Sequence, residues 1–181
     1  MLKLFREVLR TGEATKKYPF TPWEVEKDFR GKPEHEAANC IACGACTQAC
    51  PANALAMQTD LAAKTRTWSI DYGRCVFCAR CEEVCPTDAI RLSSDFELAV
   101  ANKADLKKQA VFTLAECVAC GEPFAPAKEV AYVTALIEKI TPSAEDAAVR
   151  ARSVATCPAC KRAADLVRIS TVARPFEETS R

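Results

Sequence analysis

Histidine occurs once in these 181 residues and glycine only five times. A single imidazole argues against a His-rich zinc enzyme, a di-iron bundle and a His-based catalytic triad. The glycines form no phosphate cradle: neither G-x-G-x-x-G nor a Walker A loop is present. A surplus of one charge sign is missing too. The 25 basic and 24 acidic residues leave a formal charge of +1, which points to neither nucleic acid nor a polybasic membrane surface. Long apolar runs are also absent. The longest, Val130 to Ile137, covers eight residues between Glu129 and Glu138, far short of the ~20 that span a bilayer. Charges scattered through residues 1–10 interrupt any apolar core there, so no secretory leader is expected. A hydrophobic content of 49% with 27% charged residues describes a folded globular chain.

Cysteine is abundant, with twelve copies. A chain without an export signal is expected in a reducing compartment, where so many thiols bind metal rather than pair as disulfides. Cys40, Cys43, Cys46 and Cys50 precede Pro51, and Cys75, Cys78, Cys81 and Cys85 precede Pro86. Both stretches read C-x2-C-x2-C-x3-C-P, the bacterial ferredoxin run for [4Fe–4S] ligation, and they repeat at an offset of 35 residues. Two-residue gaps let three cysteines wrap one cubane on a tight loop. Small residues such as Ala42, Gly44, Ala45 and Ala79 let backbone N–H groups approach the sulfurs. In two-cluster ferredoxins the fourth cysteine of each run ligates the other cluster. That assigns cluster I to Cys40, Cys43, Cys46 and Cys85, and cluster II to Cys75, Cys78, Cys81 and Cys50.

The expected fold class is α+β: a two-[4Fe–4S] ferredoxin-like core, an N-terminal amphipathic arm and a C-terminal four-cysteine module of zinc-ribbon or rubredoxin type. Residues 1–36 read as a docking arm. Leu2, Phe5, Val8 and Leu9 share one helical face, and Pro19, Pro22, Gly31 and Pro33 make 11–34 an extended connector. Residues 37–96 read as the two-cluster domain, with strands expected over 53–58, 67–72 and 89–92. Trp68, Ile70 and Tyr72 are read as hydrophobic cover over a cluster, and His35 as a packing or surface residue.

Residues 97–181 form the third unit. Cys117-Val-Ala-Cys120-Gly and Cys157-Pro-Ala-Cys160 are two knuckles that turn four thiolates toward one ion. Zinc is the preferred occupant, with a single iron as the alternative, because the same pattern serves both. A helix is expected over 126–140, followed by a second one capped by Ser143, while 166–172 reads as strand or helix. No acid, base or nucleophile constellation stands out, so no catalytic residue is assigned.

The arm, Tyr18-Pro-Phe, Phe29-Arg-Gly-Lys-Pro33 and the two cysteine runs together resemble the two-cluster subunit of the complex I and membrane-bound [NiFe]-hydrogenase superfamily. With the terminal knuckles added, the chain is similar to the ferredoxin-type subunit of formate hydrogenlyase, and more closely that of hydrogenase-4. The stretches Cys40-Ile-Ala-Cys-Gly-Ala-Cys46, Cys81-Glu-Glu-Val-Cys-Pro86, Phe96-Glu-Leu and Pro123-Phe-Ala-Pro126 carry that likeness. It implies an electron-transfer subunit, peripheral on the cytoplasmic side of the inner membrane. Electrons from formate oxidation would arrive from a multi-cluster ferredoxin subunit of a formate dehydrogenase and leave to the hydrogenase small subunit. Protons would be reduced at the [NiFe] centre of the large subunit, and the arm would lie along membrane-anchored, proton-pump-like subunits. No nucleic acid and no small-molecule substrate is implied. A diffusible two-cluster ferredoxin is disfavoured by the arm and by the residues after 96. A complex I-type subunit feeding quinone reduction is disfavoured by the knuckles, and a metal-stabilised scaffold would carry no reducible cluster.

Metal counts on anaerobically purified chain separate the occupants. About eight iron with one zinc is expected for a structural knuckle site, against about nine iron and no zinc for a rubredoxin-like one.

Overall fold

The computed structural model describes residues 2–12, 17–21 and 23–172, with the backbone alone for Leu2 and Val172. Pro22 of the expected connector and Leu2 of the expected helix face therefore lie outside the described side chains. Helix α1 (Leu2–Thr11) and strand β1 (Pro33–His35) precede the first cysteine run. Then come α2 (Ala45–Ala49), β2 (Leu55–Asp60), β3 (Thr65–Asp71), α3 (Arg80–Glu83) and β4 (Ile90–Leu92). The chain continues through β5 (Lys107–Glu116), β6 (Pro123–Pro126), α4 (Ala127–Ile140), α5 (Ala144–Val154) and α6 (Pro158–Val172).

The fold is α+β, and the 35-residue repeat of the sequence shapes its strands. β1 pairs antiparallel with β4, and β2 with β3. The registers correspond: Leu55 faces Ile70 in one pair and Ile90 faces His35 in the other, each residue 35 positions from its counterpart. Strand β2 starts two residues later than the pattern suggested. Asn53 sits at φ 49°, in the left-handed region, so the extended chain begins only after that turn. Residues 166–172 close α6 as helix. Ser143 caps α5, its hydroxyl accepting from the Asp146 N–H at 3.4 Å.

Strand β5 was not expected, because its Lys107-Lys-Gln start is polar and only Phe112 and Leu114 are buried along it. It pairs antiparallel with β3 from Thr65↔Thr113 to Asp71↔Lys107, and β6 adds the outer edge of a sheet ordered β2-β3-β5-β6. Alternation along β3 puts Trp68 and Ile70 inward, at 1% and 2% exposure. They meet Leu55, Tyr72, Ile90 and Phe112 in one core. Burying apolar side chains of this size stabilises the fold by about 1.5–3 kcal/mol each.

Helix α1, by contrast, leaves Leu4, Phe5, Val8 and Leu9 exposed. The connector folds back on its own chain at Gly31, whose N–H donates to the Ser93 carbonyl at 2.8 Å. Glycine is required there, since a Cβ would stand 2.6 Å from the Ser93 oxygen. Tyr72 ties β1 to the core by donating to the Pro33 carbonyl at 2.9 Å, and burial pushes its phenol up to about 12, so it stays a donor. Tyr72→Phe leaves that carbonyl unpaired. A loss of about 1–2 kcal/mol is expected, read as a lower thermal midpoint with unchanged secondary structure.

Candidate metal centres

The two cysteine runs fold alike because each must turn backbone N–H groups toward its own sulfurs. Ala42 and Phe77 take left-handed φ values of 57° and 52°, and Gly44 and Ala79 open α2 and α3 at 81° and 69°. Asn53 and Asp88, after the prolines, match at 49° and 52°. Five of these six residues carry a Cβ, and each left-handed placement costs roughly 1–2 kcal/mol. The strain has a return in hydrogen bonds. The Ala42 N–H donates to Cys40 Sγ at 3.4 Å, Ala54 to Cys50 at 3.3 Å and Ala89 to Cys85 at 3.1 Å.

Two cavities lie against the core. One is lined by Cys40, Cys43, Cys46 and Cys85; the other by Cys50, Cys75, Cys78 and Cys81. Each cavity thus takes three cysteines from one run and the last from the other. Burial pushes the Cys40, Cys46 and Cys75 thiols up, and Cys81 up to about 12. At Cys85 burial works the same way but loses to the N–H groups of Thr87, Ala89 and Ile90, which hold the thiol below its usual range. Buried sulfurs of this kind become stable anions only when bound to positive metal.

The first cavity also holds two polar atoms without partners, Trp68 Nε1 and His35 Nε2. A group bearing acceptor sulfurs suits them, so the residues fit an iron–sulfur cluster. His35 is a packing residue, stacked on Trp68 with ring centroids 3.8 Å apart and planes 15° from parallel.

The remaining four cysteines converge more tightly. The sulfurs of Cys117, Cys120, Cys157 and Cys160 all lie within 4.8 Å of one another, and Cys120 and Cys157 are 3.8 Å apart. Four thiolates at ~2.3 Å from one ion stand ~3.8 Å apart by tetrahedral geometry. This is a single-ion spacing. Among the described residues this is the one group of metal-ligating side chains that converges so tightly. The first knuckle is the turn between β5 and β6, closed by the Gly121 N–H on the Cys117 carbonyl at 2.8 Å. The second is the opening turn of α6. Cys117 Sγ accepts from the Cys157 N–H at 3.1 Å and the Ala119 N–H at 3.4 Å, and these donors draw its thiol well below the ordinary range.

Residues 39–89 match the family described as the 4Fe-4S dicluster domain. Over 167 residues, 92% of this chain and 92% of the relative, the sequence is 47% identical to formate hydrogenlyase subunit 6 of Escherichia coli (strain K12). The chain belongs to the formate hydrogenlyase subunit 6 family. A chain in the structure of the membrane-bound sulfane sulfur reductase, an archaeal respiratory membrane complex, is 32% identical over 56% of each chain, with a TM-score of 0.43. This member of the family is thus an iron–sulfur subunit related to hydrogenase-type complexes, with a four-cysteine metal site at its C-terminal end.

Sequence reading missed the residues that join this third site to the first cavity. Lys128 of α4 donates to the carbonyls of Ala37 and Ala38 at 2.8 and 2.9 Å, bracing the loop that leads to Cys40. Its ammonium also lies 5.7 Å from the centre of the Phe112 ring. No spacing rule marks a lone lysine on a helix for such a task. Cys157→Ser leaves three thiolates at the tight site. Metal analysis is expected to show retention of one ion weakened by more than about tenfold, with metal at the other eight cysteines unchanged.

Proposed function

We propose that this chain relays electrons through two [4Fe–4S] clusters within a formate-hydrogenlyase-type complex. The observation that carries the reading is the crossed grouping of eight cysteines into two neighbouring cavities. Burial raises the Cys81 thiol and the nearby Cys46 raises it further, which supports reading the two sites as neighbours. Folding alone needs one cluster; two adjacent ones form a path. In this reading Cys40, Cys43, Cys46 and Cys85 hold cluster I, and Cys75, Cys78, Cys81 and Cys50 hold cluster II. The clusters supply one-electron chemistry when bound. The chain's own residues anchor the irons, direct N–H groups at the sulfurs and keep water out with Trp68, Ile70 and Tyr72.

The single-ion site at Cys117, Cys120, Cys157 and Cys160 takes zinc in this reading and fastens α6 to the β5–β6 turn. The proposed organisation is a docking arm over 1–36, a two-cluster unit over 37–96 and a metal module over 97–181. The likeness to the Escherichia coli subunit supports placement in a complex with hydrogenase small and large subunits and a multi-cluster formate dehydrogenase subunit. Among the described residues no helix is long and apolar enough to cross a membrane. Attachment to membrane-anchored subunits, on the cytoplasmic side of the inner membrane, is accordingly proposed as peripheral, with the exposed apolar face of α1 at the junction.

Reductive titration followed by EPR tests the reading together with paired variants. Cys85→Ser is expected to disturb the same cluster signal as Cys43→Ser, and Cys50→Ser the same signal as Cys78→Ser. If Cys85→Ser and Cys78→Ser disturb one signal in common, the crossed arrangement is wrong. Gel filtration of native extract adds the second test: the chain migrating alone, apart from hydrogenase subunits, would sink the fixed-subunit reading.

A further inference from the structure

In the strands that line the two cavities, the repeat is broken at two corresponding pairs of positions. Counting 35 residues along, Pro33 corresponds to Trp68 and His35 to Ile70. The antiparallel pairs cross these over, so the cavity of Cys40, Cys43, Cys46 and Cys85 receives Trp68 and His35, and the other cavity receives Pro33 and Ile70. None of the residues lining the second cavity carries a side-chain N–H. The first cavity has two, and both are without partners.

Trp68 is 1% exposed, and a buried N–H with no acceptor is rare in folded proteins. Its direction is held rather than free. His35 lies flat against one face of the indole, and Phe112 meets the His35 ring edge-on at 86°. Cys46 lines the same cavity as the indole. Two further polar groups bear on this cavity only: Thr87 Oγ1 stands 3.8 Å from Cys85 Sγ where the repeat has Ala52, and the Lys128 charge is felt at Cys40.

We propose that Trp68, held by the stacked His35, is a positioning residue whose indole N–H donates to the sulfurs of cluster I and raises its potential above that of cluster II. Donors to cluster and thiolate sulfur favour the reduced, more negative state. Cluster I therefore fills first, and the two clusters form a downhill step rather than a level pair. The inference rests on the two-cluster reading and adds a direction to it.

The test uses the full-length chain carrying its clusters, titrated reductively and followed by EPR. The parent chain is expected to show two reduction waves. Trp68→Phe is expected to move the first wave alone to lower potential, by about tenfold in the reduced-to-oxidised ratio at fixed potential, equivalent to ~59 mV for one electron. The chain has two tryptophans, so Trp23→Phe serves as the control and leaves Trp68 as the sole indole. In that background, 15N-indole labelling is expected to give a hyperfine coupling in the signal of the first wave. Should Trp68→Phe lose its clusters, the 15N coupling decides by itself. Both clusters present with unmoved waves in Trp68→Phe, or no 15N coupling, overturns the inference and leaves the two-cluster reading standing. Absence of two reducible clusters in the parent chain overturns that reading instead.

Discussion

Each cavity is lined by three cysteines of one run and the last cysteine of the other, and that crossing organises the molecule. Cys85 stands with Cys40, Cys43 and Cys46, while Cys50 stands with Cys75, Cys78 and Cys81. Neither half lines its cavity alone, so the two halves pack together in matching ways. The matching registers of β1 with β4 and β3 with β2 are the strand-level form of that correspondence. The left-handed residues at equivalent places in the two runs are its backbone form. Local strain persists there because the surrounding strands and the N–H donations to sulfur over-determine those conformations.

Growth of the fold is then one-sided. β5 and β6 extend only the sheet edge beside β3, and this carries the chain past the ferredoxin-like repeat to the tight four-thiol site. The same extension brings α4 back against the loop that leads to Cys40, where Lys128 holds the Ala37 and Ala38 carbonyls. The loop leading to one cavity is therefore braced by the C-terminal part of the chain, and that cavity alone is lined by His35, Trp68 and Thr87. Its counterpart is closed mainly by apolar side chains.

The cysteine spacing made an iron–sulfur subunit legible from composition and motif alone. Metal ligation fixes side-chain type and short sequence gaps together, and few other constraints do both. The grouping of Cys117, Cys120, Cys157 and Cys160 into one site was legible too, and their tight convergence agrees with it. Strand β5 was not legible, since a strand half exposed and rich in Lys and Gln shows weak alternation. The left-handed Phe77 and Ala79 were equally hidden. Glycine advertises such positions, and the second run does without it.

By itself the sequence determined how the twelve cysteines divide into two runs and two knuckles, and the α+β class. These follow from side-chain chemistry and local spacing, which neighbouring residues decide. Tertiary structure alone decided that Trp68 and His35 would share one cavity while Pro33 and Ile70 shared the other. Antiparallel pairing carries a side chain from one repeat into the site of its partner, and no local spacing records where it lands.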